Sequence, residues 1–139
     1  MKYEIRDRYE GYSLFSVETE SFKTAVEIAI RHGVNLSGTD LSRVDLSGVN
    51  LSRADLRRAD LSKSNLSGGN FYGANLSRSN LAGADLSSAT LYAADLSGAD
   101  LSSVNLSNSD LSGSDLFGAN LSGTDMTNAD LLGAHIFTK

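Results

Sequence analysis

From Asn35 to Ile136 an apolar residue recurs at every fifth position. With that position denoted i, it is Leu at all but three of 21 sites, the exceptions being Phe71, Met126 and Ile136. Position i−1 is Asp or Asn at 19 of the 21, with Thr90 and His135 the exceptions. Position i−2 is always small or β-branched, most often Ala, and i+1 and i+2 are mainly Ser, Gly or polar. A period of five suits neither regular element. On an α-helix it carries Leu round every side. On a flat strand an odd spacing throws successive Leu residues to opposite faces. All of them point one way only if the chain turns a corner within each pentapeptide. Four corners close a square, so one coil takes twenty residues. Position i then stacks over i+20 as parallel strands about 4.8 Å apart.

Residues 1–33 do not repeat. Lys2 to Tyr9 and Tyr12 to Glu18 read as two strands rich in Tyr, Ile, Phe and Val, with Glu10-Gly11 as the turn of a hairpin. Ser21 to His32 reads as a helix. Phe22, Ala25, Val26, Ala29 and Ile30 form one apolar stripe, Thr19 or Ser21 can cap its start, and Gly33 is placed to end it. A hairpin and one helix are too small to bury a core alone. They are expected to pack on the first coil of the array as a cap, so that residues 1–33 and 34–139 form two units.

Each array position has a reason. The square tube is narrow, so i−2 must be small beside Leu. An Asp or Asn at i−1 can bond nearby backbone N–H groups and hold the corner. Ser at i+1 and the residue at i+2 should face water. Phe71 is the one oversized i residue, and Gly69 is the one glycine at i−2, so extra volume sits beside missing volume.

This is the pattern of the pentapeptide-repeat family, which the chain resembles over about three quarters of its length. The family's A(D/N)LxX unit stands nearly unaltered in Ala84-Asp85-Leu86-Ser87-Ser88 and in Ala129-Asp130-Leu131-Leu132-Gly133. The resemblance implies an all-β solenoid, a right-handed quadrilateral β-helix of about five coils. At the parallel-strand spacing that is a rod about 24 Å long.

Stacking at twenty residues converts the repeat into a surface map. Tyr72 should lie over Tyr92 and Phe117 over Phe137, while Ser47, Ser67, Ser87, Ser107 and Thr127 form a hydroxyl ladder. Charge is uneven. Residues 34–78 hold four Asp and six bases (Arg43, Arg53, Arg57, Arg58, Lys63, Arg78), whereas 79–138 hold seven Asp and no Lys or Arg. Those seven are Asp85, Asp95, Asp100, Asp110, Asp115, Asp125 and Asp130. Over about 14 Å of rod they amount to one charge per 2 Å, close to the one per about 1.7 Å of duplex DNA.

Two functions follow as expectations. The first is a non-enzymatic scaffold or protein-interaction module of unnamed partner. The second comes from the resemblance: some pentapeptide-repeat proteins mimic DNA and bind type II topoisomerases, as the quinolone-resistance proteins do. That implies an acidic rod directed at DNA gyrase or topoisomerase IV through the seven Asp residues, although those relatives are longer and some carry loops this array lacks. The last coil adds a third expectation. Phe117, Leu132, Ile136 and Phe137 leave apolar surface at an uncapped end, which invites a tail-to-tail homodimer. The alternative is Phe137 folded back as a plug.

Other classes find little purchase. His32 and His135 lie at opposite ends of the array, so no Ser-His-Asp site converges. P-loop, GxGxxG, HExxH and GxSxG motifs are absent. Stacked Asp pairs such as Asp95 over Asp115 hold a cation weakly at best, and no cofactor, metal site or direct nucleic-acid contact is expected. The flat Ser ladder is short of the paired Thr ranks that ice-binding faces favour. The chain has no Cys. It shows no signal-peptide run and no membrane-length apolar stretch, so a cytoplasmic location is the expectation.

Overall fold

The computed structural model describes residues 1–136. The expectations placed on Phe137, its stacking on Phe117 and its part in a dimer end or a plug, lie outside the described residues.

The chain opens with strand β1 (Lys2–Asp7), which pairs antiparallel with β2 (Ser13–Glu18) in a register that sets Ile5 against Phe15. Asp7 makes the turn between them: its Oδ1 accepts the backbone N–H groups of Tyr9 and Glu10 at 2.9 and 2.7 Å. Helix α1 (Phe22–Arg31) follows. Of the two candidate caps Ser21 is the one used, its hydroxyl accepting from the Thr24 N–H at 3.1 Å, and Gly33 ends the helix at φ 72°.

β1 also pairs with a two-residue strand, β3 (Thr39–Asp40), on its other edge, giving the sheet order β2-β1-β3. β3 belongs to the first coil of the array, so the hairpin's sheet runs on into it. Ile5, Val26 and Ala29 share one apolar core with Leu36 and Leu41. The small N-terminal elements therefore gain, by packing on the array, the buried surface they lack alone.

From Asp40 onward the array is built on parallel bridges between residues twenty apart. Asp40 pairs with Asp60, Asp45 with Asn65, Asn50 with Asn70 and Asp55 with Asn75, and the series continues to Asp115 with His135. Four bridge positions occur per coil, one in each pentapeptide. The fold is a β-helix solenoid.

A pentapeptide with a coil on either side, such as Ser64 to Gly68, uses every one of its backbone N–H groups. In the repeat centred on Leu46, the Leu46 N–H donates to Asn65 O at 2.8 Å and the Gly48 N–H to Ser67 O at 2.8 Å. The Ser47 N–H donates to Asp45 Oδ1 at 3.0 Å. The Val49 N–H closes the turn on Leu46 O at 3.0 Å, and the Asn65 N–H of the next coil returns to Val44 O at 2.9 Å. Only a short side chain with an acceptor oxygen can serve the i+1 N–H, which is why i−1 is Asp or Asn. Asn and Asp do this equally, because both present Oδ1: Asn65 and Asn105 make the same bond to Ser67 and Ser107.

One feature of the corner is hidden in the sequence. Every i+2 residue from Gly38 to Gly133 has positive φ, between 56° and 72°. With the i+1 residue outside that region, this is the backbone of a type II turn. Half of the i+2 sites are glycine. The rest, including Arg43, Arg58, Ala93 and Ser103, hold a left-handed conformation that disfavours a side chain by about 1 kcal/mol or more.

The i residues from Leu36 to Leu116 are fully buried, and Phe71 is among them. Burial then fades: Leu121, Met126 and Leu131 are half-buried, and Ile136 is 42% exposed. Among the buried i−2 serines, Ser64 and Ser109 donate to the carbonyls of Leu61 and Leu106, but the Ser79 and Ser114 hydroxyls have no partner. A buried unpaired hydroxyl costs about 1–3 kcal/mol, and the sites above and below Ser79 are Ala59 and Ala99. Ser79→Ala and Ser114→Ala should each raise the unfolding free energy by about 1 kcal/mol. Ser64→Ala, which removes a bonded hydroxyl, should not. Urea melts of the three variants check this, and a loss of stability in the first two would refute it.

Candidate functional site

The seven C-terminal Asp residues occupy i−1 and are fixed by the turn. Each accepts the i+1 backbone N–H through Oδ1 at 2.9 to 3.0 Å. Asp95, Asp100 and Asp125 also accept the hydroxyl of Ser97, Ser102 and Thr127 at 2.6 Å. The second carboxylate oxygen of each makes no hydrogen bond among the described residues. Asp85, Asp95, Asp100, Asp110 and Asp115 are half-buried, and Asp125 and Asp130 are exposed.

Stacking distributes these charges. Asp95 lies over Asp115 and Asp110 over Asp130, while Asp85 and Asp125 are separated by Asn105 and Asp100 stands over Asn120. All four bridge columns thus carry acid, and the carboxylates form a belt round the rod. Among the described residues no group of three or more His, Asp or Glu could hold a metal ion.

Part of the hydroxyl ladder is turned onto the array's own side chains. Ser67, Ser107 and Thr127 each turn back and donate to the i−1 side chain two residues earlier, at 2.6 to 2.7 Å. Most i+1 serines are half-buried. Tyr72 and Tyr92 do stack, with ring centroids 5.6 Å apart and planes 5° from parallel, and Arg53 lies over the Tyr72 ring at 5.5 Å. Of the candidate end residues, Phe117 is 56% and Leu132 80% exposed, and they stand on different faces of the last coils.

The bases spread over several faces too. Arg57 is the paired one, binding Asp55 through Nε and Nη2 at 2.8 and 2.6 Å. Arg43, Arg53, Arg58, Lys63 and Arg78 all stand at the left-handed i+2 site. Composition could have shown this: from Gly38 to Arg78 every i+2 residue is Gly, Arg or Lys.

The pentapeptide-repeat family model matches residues 32–68, 69–108 and 94–133, in eight copies. The chain belongs to the pentapeptide-repeat family. Among solved structures, it is 29% identical to a pentapeptide-repeat protein of the cyanobacterium Cyanothece 51142, covering 74% of this chain and 88% of that one, with a TM-score of 0.56. It is 36% identical to a pentapeptide-repeat protein of the Arabidopsis thaliana thylakoid lumen, over 68% of this chain and 63% of that one, with a TM-score of 0.46. QnrB1, a plasmid-mediated fluoroquinolone resistance protein, is 21% identical over 78% of this chain and 68% of that one, with a TM-score of 0.44. No curated protein matches the chain at a significant level. Among the described residues no helix is long and apolar enough to cross a membrane.

In this pentapeptide-repeat chain three turn carboxylates, Asp45, Asp55 and Asp125, respond to pH through the bonds they accept. Hydrogen bonds from the Thr127 hydroxyl and N–H hold Asp125 below its usual value, and the Ser47 N–H and hydroxyl do the same for Asp45. The Arg57 guanidinium, hydrogen-bonded to Asp55, lowers Asp55. A carboxyl lowered by folding contributes stability above its unfolded value, and this is lost as pH falls through the folded one. Melting temperature should therefore drop on acidification below about pH 4. Asp45→Asn with Asp125→Asn, which keeps the Oδ1 acceptor, should flatten the drop. Thermal melts between neutral pH and pH 2 test it, and a profile identical in both proteins would count against the cause given.

Proposed function

We propose that the chain is a non-enzymatic protein-interaction module. Its array is a right-handed quadrilateral β-helix capped by residues 1–33, and its partner-binding surface is the acidic belt of residues 79–136. The observation that carries this is the fixed placement of the seven carboxylates. Each is locked by its own turn, so the belt needs no ordering when a basic partner binds, and the entropic penalty of association is reduced.

A more specific reading is that the belt mimics DNA for a type II topoisomerase such as DNA gyrase or topoisomerase IV. Its support is the linear charge density, close to that of duplex DNA, together with acid on all four bridge columns. A cytoplasmic location goes with this reading. Gyrase supercoiling and topoisomerase IV decatenation in the presence of the protein are the test. Inhibition, or protection from a quinolone, that disappears when the seven Asp are changed to Asn supports the mimic. No effect at micromolar protein removes it. Binding of another basic partner that is lost on the same change supports the broader reading, and a pull-down unaffected by the change refutes it.

The proposal extends to a tail-to-tail homodimer. Exposed Leu132 and Ile136 beside the half-buried Leu131 support it. Light scattering at tens of micromolar would show twice 14.7 kDa if the dimer forms; a mass of 14.7 kDa rejects it.

A further inference from the structure

Where the hairpin meets the array, a groove of about 710 Å³ runs beside Gly38, Arg58, Ser77, Arg78 and Ser97, with Asp7 and Tyr9 on its far wall. That volume suits a small molecule. Arg8 stands beside it, its Nη1 donating to Arg58 O at 2.8 Å and its guanidinium 5.2 Å from the Tyr9 ring centroid. Residues fifty apart in sequence thus bring Arg8 beside Arg58.

The charges in the groove do not cancel. Arg57 is neutralised by Asp55. Arg8, Arg58 and Arg78 have no carboxylate partner among the described residues. Asp7 is the one opposing carboxylate, and its Oδ1 is taken by the turn N–H groups of Tyr9 and Glu10. Arg58 and Arg78 in the lining against Asp7 leave one positive charge, and Arg8 beside the groove makes two.

The backbone points to the same place. Arg58 and Arg78 both hold the left-handed conformation, at φ 59° and 58°, in a column that is otherwise Gly38, Gly98 and Gly118. Glycine would relieve that strain, and it fills the sites above and below. Gly98 also gives Arg78 its room, because a Cβ there would come within 3.3 Å of Arg78 Cγ. The Arg78 stem therefore lies along the rod towards Ser97.

We propose that this groove binds a phosphate dianion, free or as the monoester of a small molecule. Arg58 and Arg78 stand one coil apart, about 4.8 Å along the rod. Two guanidiniums so placed can fork onto one tetrahedral anion, and guanidinium geometry favours phosphate over a single carboxylate. Ser77 adds a hydroxyl donor along the floor; the Ser97 hydroxyl is already donated to Asp95. The net charge of the groove together with the neighbouring Arg8 matches a dianion.

The test titrates the full chain by calorimetry with inorganic phosphate, with glucose 6-phosphate and with glucose, in low-chloride buffer at neutral pH. Both phosphates should bind and glucose should not. Tighter binding of the ester means the groove reads the carrier as well; equal binding means it reads phosphate alone. Arg58→Gly and Arg78→Gly should each weaken binding at least tenfold. Both replace a strained residue by glycine, so their thermal melts should match or exceed the parent, and lost binding is then not lost folding. Arg43→Gly is the control, a base at the same turn site outside the groove. No binding of either phosphate at millimolar concentration would overturn the proposal. So would equal weakening by Arg43→Gly, which would reduce the effect to general charge.

Discussion

A single methyl group added at Gly69 should destabilise the solenoid by about 1–3 kcal/mol. Gly69 is not one of the left-handed glycines, so its backbone admits alanine. Space is the obstacle. A Cβ built there would sit 2.7 Å from Phe71 Cε2 and 3.0 Å from the carbonyl oxygen of Leu66. Phe71 is fully buried and sits in the i column between Leu51 and Leu91, so its ring has no solvent to move into. Phe71→Leu alone leaves a void opposite Gly69 and should also lose stability. The double variant restores the Ala-Leu pair present one coil on, at Ala89 and Leu91. It should recover most of the loss, giving a favourable coupling of about 1 kcal/mol or more in a double-mutant cycle. Urea denaturation of the four proteins measures it. Additive losses would show that the two residues do not share one space.

That pair is legible in the sequence because the array leaves one freedom per site, side-chain volume, and the two departures coincide. The same regularity made the twenty-residue bridging and the role of the i−1 side chain legible. What stayed hidden is what the repeat does not encode by residue type. The left-handed i+2 site is filled by Arg, Lys, Ser, Ala and Asn together as often as by Gly, because the turn is held by its neighbours and not by glycine alone. The serine hydroxyls looked outward in a pattern of faces, yet several, Ser67, Ser97, Ser102 and Ser107 among them, fold back onto the i−1 oxygen two residues earlier. The groove at Arg58 and Arg78 could not be read at all. It depends on the angle at which the hairpin crosses the first coil, and that angle is set by the pairing of Arg6 with Asp40.

These facts separate two kinds of charge in the molecule. The carboxylates are part of the corner: each spends one oxygen on the backbone, and an amide would hold the fold as well. Their abundance after Asp85 is a choice among equals, which is why exchanging them for Asn tests function cleanly. The bases at i+2 are different. They stand where glycine would be favoured, and so they are retained against the conformational preference of the turn.

Leu86→Ala should lower stability by about 2–5 kcal/mol, and Leu131→Ala by well under half of that. Leu86 is fully buried, stacked between Leu66 and Leu106, and its neighbours on both coils lose contacts when it is truncated. The rod is too regular for the gap to close, since the surrounding backbone is fixed by bridges above and below, so the cavity term persists. Leu131 lies in the last described coil and is half-buried. Truncating it removes part of one interface, and water already reaches the site. In a solenoid each coil is stabilised by its nearest neighbours, so a defect in the middle weakens two interfaces and a defect at the end weakens one. Equilibrium urea unfolding of both variants at low protein concentration separates the cases. Equal losses would mean that the C-terminal coil is covered in solution, and the difference should then return on dilution if a second copy supplies the cover.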